Sequence, residues 1–161
     1  MHDLELAFRT ALSLMAERDP ELVEIILLSL RVSLAALGVA CALGLPLGAA
    51  LGVVRFPGRR VVVTLLNALM GLPPVVVGLL VYLVLSRSGP LGGLGLLFTP
   101  TAMVIAQALL ILPIVAALTR QVVEDLEGEM GEELRALGAG RLRRSATLLV
   151  EGRHAVATAV L

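Results

Sequence analysis

Three uncharged runs dominate the chain: Val32 to Val54, Val61 to Ser86 and Ser88 to Thr119 contain no Asp, Glu, Lys, Arg or His. A run of 18 or more such residues is long enough to cross a bilayer, because about 20 residues at 1.5 Å each cover the hydrocarbon core. The first third of the last run, SGPLGGLGLLFTP, is dense in Gly and Pro and reads as loop. The pattern therefore predicts spans over about 25–54, 61–86 and 99–119. Arg31 falls inside the first, near one end, where its long side chain can reach the headgroups. A fourth apolar run starts at about Ala155 and meets the last residue, Leu161. It is too short to cross and reads as the start of a truncated fourth span. The expected fold class is an all-α polytopic membrane protein, with a membrane domain over 22–161.

The polar segments supply an orientation. RFPGRR (55–60) holds Arg55, Arg59 and Arg60, while 120–153 holds Arg120, Arg135, Arg141, Arg143, Arg144 and Arg153. Two spans separate these segments, which puts all nine arginines on one side; the other side receives Arg9, Arg18 and Arg87. The positive-inside rule then makes 55–60 and 120–153 cytoplasmic and the N-terminus external. Residues 1–21 lack the basic start and short apolar core of a cleavable signal. Leu4, Ala7, Phe8, Ala11, Leu12, Leu14 and Met15 fall largely on one helical face, as in a helix lying on the outer membrane surface. A disordered leader is the other reading. Asp19-Pro20 has the form of an N-cap followed by proline in the first helical turn.

Composition agrees and narrows the chemistry. Of 161 residues, 58% are hydrophobic and 16% charged, so a small soluble domain has too little interior to hide the apolar surface. Disorder is excluded on the same ground. A net charge of zero with 2% aromatic residues argues against nucleic acid as a partner. One cysteine, Cys41, and two distant histidines, His2 and His154, leave no material for a disulfide framework or a metal site. No Asp, Glu or His lies deep in a span to relay protons, no catalytic pair is present, and there is no phosphate-binding GxxxxGK[ST] loop. The sequence therefore predicts no catalytic residues, no cofactor and no metal. Any uphill transport must draw its energy from another chain.

Each predicted span carries proline: Pro46, then Pro73-Pro74, then Pro113. Adjacent prolines remove two consecutive N–H donors at mid-span, and Gly71 and Gly78 flank them, so the helix is expected to break there. Broken helices at the midplane often line a pathway. A packing kink is the alternative. Gly44, Gly48 and Gly52 form GxxxGxxxG, a pattern that lets helix backbones approach closely. Asn67 and Gln107 are amides within the spans, suited to interhelical hydrogen bonds or to a hydrogen-bonding solute. The candidate translocation path is thus Asn67, Gly71, Pro73, Pro74, Gly78 and Gln107.

From Gln121 to Arg153 the chain changes abruptly to mixed charge. Leu126, Met130, Leu134 and Leu137 recur at helical spacing, and Gly138 follows as a C-cap. These predict a short amphipathic helix, a turn at GAG, and a second, basic helix. The apolar stripe wants either a partner's groove or the membrane surface.

EELRALGAGRLRRSATLL resembles the EAA loop of permease subunits of ATP-binding-cassette importers, in which EAA is followed after three residues by Gly. Glu132 matches the Glu and Gly138 the Gly, with Ala139 after it. Glu133 and Leu134 replace the two alanines, Leu148 fits the later Ile, and Val150-Glu151 stands in place of Leu-Pro. Over about Asp19 to Arg153, LGLPLGAALGVVRFPGRR, NALMGLPPVVVGLLVYLVLSRSGPLG and LLFTPTAMVIAQALLILPIVAALTRQ resemble the tungstate-type (molybdate/tungstate) importer permeases, of MetI-like fold. The resemblance implies a multi-pass protein of a bacterial or archaeal cell membrane, a homodimer of five-helix cores, of which this sequence holds three spans and part of a fourth. It implies an ATPase partner on the cytoplasmic face and an extracytoplasmic binding protein delivering the oxyanion. Glu132, Glu133, Leu134, Gly138 and Ala139 would couple to the ATPase. A permease for another solute (molybdate, phosphate, sulfate or methionine) and a membrane scaffold without transport activity are the alternatives.

Overall fold

The computed structural model describes residues 20–160, with side chains as far as Thr158. The predicted surface helix within 1–21, including the Asp19 cap, lies outside the described residues. The order is α1 (Pro20–Val53), α2 (Arg59–Met70), α3 (Pro74–Leu85), a 3₁₀ turn (Gly92–Leu94), α4 (Pro100–Ala136), α5 (Arg141–Glu151) and α6 (Arg153–Val160). Two of these, α1 and α4, are long and apolar enough to cross a membrane, and α2 with α3 make a third candidate if the pair is one bent span.

The most extensive packing joins α1 to α4, and glycine explains it. A Cβ on Gly44 would meet Val115 at 2.9 Å; on Gly48 it would meet the Ala116 carbonyl oxygen at 2.5 Å; on Gly52, Val123 at 2.7 Å. The GxxxGxxxG face is therefore the seam, with α1 too close to α4 for a side chain at these three positions. Residue numbers rise together on both helices, so α1 and α4 run parallel. Their C-terminal ends, and with them 55–60 and the start of 120–153, lie at one end of the molecule.

Between them, α2 and α3 bend by 102°. The residue before a proline is driven out of the helical region. Pro73, preceding Pro74, accordingly sits at φ −60°, ψ 135° and caps α3, with Pro74 in the first turn. Gly71 closes α2. The break expected at GLPP is present, and its sharpness makes this a bent pair rather than a straight helix across 61–86. Leu66 of α2 is buried against Leu51 and Ala116, with Val62 beside it, which holds the pair on the α1–α4 seam.

One element differs from expectation. Residues 120–136 do not form a separate short helix: α4 runs unbroken through 37 residues from the membrane segment. No proline interrupts that join, and the two glycines beyond it, Gly128 and Gly131, are tolerated inside a long helix. At about 1.5 Å per residue, the part after Thr119 extends roughly 25 Å beyond the apolar segment.

Candidate functional site

The end of α4 is closed by Gly138, whose φ of 74° is left-handed. The Gly138 N–H donates to the Arg135 carbonyl at 2.9 Å, and the Ala139 N–H to the Leu134 carbonyl at 2.9 Å. This is the Schellman pattern, in which a residue at positive φ satisfies the last carbonyls and reverses the chain. The reversal sends α5 back along α4: Arg144 reaches Glu127, and Gly152 comes so close to Leu126 and Val122 that a Cβ there would meet both within 3.0 Å. The product is a helical hairpin projecting from the paired C-terminal ends of α1 and α4.

The predicted apolar stripe finds its partner within the chain. Leu126, Met130 and Leu134 pack with Leu149 against a buried cluster of Ala49, Val53, Val123 and Leu148. They are half-buried there, against α5 and the end of α1. Leu137, by contrast, is 82% exposed and Leu142 88% exposed, both at the hairpin tip. Among the EAA-type residues, Leu134 is half-buried in the hairpin. Glu132, Glu133 and Gly138 are exposed, and Ala139 is half-buried at the turn.

Ion pairs bind the hairpin to itself and to the membrane helices. Glu127 accepts from Arg144 Nη1 at 2.8 Å and from Arg135 Nη2 at 3.2 Å. Gly131 makes room for the second bond, since a Cβ there would press on the Glu127 carboxyl at 2.8 Å. Glu124 takes both Arg120, one turn before it, and Arg59 from the start of α2. Arg59 Nε also donates to the Leu51 carbonyl at 2.8 Å, so it caps a helix that has no basic residue of its own in its last turn. The sequence by itself assigns these arginines only to a side of the membrane. The Arg120–Glu124 spacing of four was a legible signal; the pairs with Arg59 and Arg144, far apart in sequence, had none.

The path candidates lie elsewhere. Asn67 is exposed on α2, Gly71, Pro73 and Pro74 form the bend, Gly78 is exposed on α3 with open space where a Cβ would be, and Gln107 is half-buried on α4. Five clefts of about 380–770 Å³ among the described residues are lined by other positions, and none of these six residues lines any of them.

Residues 44–150, from the first seam glycine to the last turn of α5, match the family described as the binding-protein-dependent transport system inner membrane component. The chain belongs to this family. Among its relatives, the tungstate uptake system permease protein TupB of Peptoclostridium acidaminophilum is 43% identical over 136 residues, 84% of this chain and 60% of the relative. A probable anion ABC transporter permease protein of Haloferax volcanii is 44% identical over 87% of this chain and 60% of its own length. The molybdenum transport system permease protein ModB of Escherichia coli is 32% identical over 78% of this chain and 57% of its own. The chain thus spans about 60% of the length of the first two relatives. For an inner membrane component, an all-α architecture with helices long enough to cross a bilayer is the expected form.

Proposed function

We propose that this chain is the membrane permease subunit of an importer driven by ATP hydrolysis in a partner chain, and that its cargo is a tetrahedral oxyanion, tungstate first. The observation that carries the reading is the hairpin. A continuous extension of α4 is reversed by Gly138, clamped to α5 through Glu127 and Arg144, and tipped with exposed Leu137 and Leu142. An exposed apolar tip beside Glu132 and Glu133 suits docking on the ATPase, and a helix continuous with the membrane segment passes that motion on without a hinge. The subunit itself contributes no catalytic residues. The tungstate assignment follows the Peptoclostridium acidaminophilum relative; molybdate is the second reading, favoured by the Escherichia coli one.

The nine-to-three bias of arginine supports a cytoplasmic position for 55–60 and 120–153 and an external N-terminus. The parallel course of α1 and α4, which brings both arginine-rich segments to one end, supports this arrangement. An extracytoplasmic binding protein would deliver the anion on the far side. A second copy of the permease would complete a path past Asn67, the Gly71–Pro74 bend, Gly78 and Gln107. The deciding experiment is tungstate uptake by proteoliposomes holding the permease with its ATPase and binding protein. Gly138→Asp is expected to abolish uptake while ATP hydrolysis persists and the permease still inserts. Undiminished uptake would overturn the coupling role, and preferential uptake of molybdate or sulfate would overturn the cargo.

A further inference from the structure

Beside the hairpin, a cleft of about 380 Å³ opens between the end of α1 and the α4–α5 pair. Four arginines line it, Arg55, Arg135, Arg141 and Arg144, with Glu127 as its one carboxylate. Glu127 is engaged with Arg135 and Arg144. Arg55 and Arg141 are in no ion pair among the described residues. The cleft therefore holds three positive charges in excess. Arg144 is only 9% exposed; its Nη1 donates to Glu127 Oε1, while its Nε and the other carboxylate oxygen of that pair, Glu127 Oε2, are both buried without a partner.

We propose that this cleft is a binding site for a phosphate-type tetrahedral oxyanion. Arginine forks match such an anion in charge and in geometry, each offering paired N–H donors to paired oxygens. The volume is ample, since a water molecule takes roughly 30 Å³. A concave wall of one charge sign also concentrates anions from solution. Of the acids nearby, Glu124 is occupied by Arg59 and Arg120, and Glu132 lines an adjoining cleft that shares Arg55, Glu127 and Arg135 with this one. The anion is either free in solution or the phosphate of a lipid headgroup, and the chemistry at the arginines is the same. The site stands on charge and burial and does not depend on the transport reading.

The test uses the whole chain in phosphatidylcholine nanodiscs, with inorganic phosphate as probe in equilibrium dialysis. Saturable binding that weakens with added salt, and weakens roughly tenfold or more in the Arg55→Gln, Arg141→Gln double variant, identifies a free-anion site. Both positions are exposed, so the fold is expected to survive, checked by helicity. If free phosphate does not bind, native mass spectrometry from discs containing phosphatidylglycerol provides the second arm. A retained phosphatidylglycerol that the double variant loses identifies the headgroup as the source. Arg143→Gln, away from the cleft, should match the parent in both arms. Absence of both ligands, or equal loss with Arg143→Gln, would overturn the proposal.

Discussion

Gly48 of α1 lies directly against the backbone of Ala116 of α4, where a Cβ would stand 2.5 Å from the Ala116 carbonyl oxygen. That approach sets the relation of the two longest helices. It also brings the α1 C-terminus to the base of the hairpin, where Arg59 and Glu124 meet.

Gly48→Leu is therefore expected to force the seam apart. Overpacking a tight core costs about 1–3 kcal/mol, and here backbone, which cannot rotate away, meets the new atoms. Gly38, on the same helix, has open space where a Cβ would be. Denaturant unfolding in detergent, followed by helicity, should show Gly48→Leu strongly destabilised and Gly38→Ala unchanged or slightly improved; equal effects would refute the seam.

At the hairpin, Glu127→Gln should leave Arg144 buried without its counter-charge. Breaking a buried pair by removing one partner costs about 3–5 kcal/mol, and the 11–13% side-chain exposure of this pair places it towards the lower end. A double-mutant cycle with Arg144→Met should return a coupling of roughly 0.5–3 kcal/mol. Amide hydrogen exchange in α5 is expected to accelerate in the single variant more than in the double.

Two glycines of α4 and its cap should respond in opposite ways. Gly138 is at φ 74°, where a side chain adds roughly 1–2 kcal/mol of strain, so Gly138→Ala should destabilise. Gly128 is helical, exposed and has space for a Cβ, so Gly128→Ala should stabilise by up to about 1 kcal/mol. Thermal unfolding of the two variants checks the sign of each.

The bend rests on proline. Replacing Pro73 and Pro74 together by alanine restores two N–H donors and lifts the restriction on the preceding residues, so α2 and α3 should straighten towards one helix. Spin labels at Leu65 and Leu80, both exposed, are expected to move apart. An unchanged distance would mean that packing on α1 and α4, rather than proline, holds the 102° turn.

Much of this protein is written locally. Hydrophobic runs specify the membrane helices because a bilayer demands length and apolarity, both readable along the chain. The proline pair specifies the break, Gly138 the reversal and the three glycines a close seam, since each acts through the backbone within a few residues of itself. Which helix the seam would meet, and in which direction, was not legible: GxxxGxxxG states that something approaches, not what. Nor was the fate of the Leu126–Met130–Leu134 stripe, which any apolar surface would satisfy until α5 folded back to cover it. The joining of Glu127 to Arg144, and of Arg59 to Glu124, depends on residues 17 and 65 positions apart. Such pairs carry no sequence period, because the distance between them is set only when the parallel α1–α4 pair and the reversal at Gly138 bring their ends together.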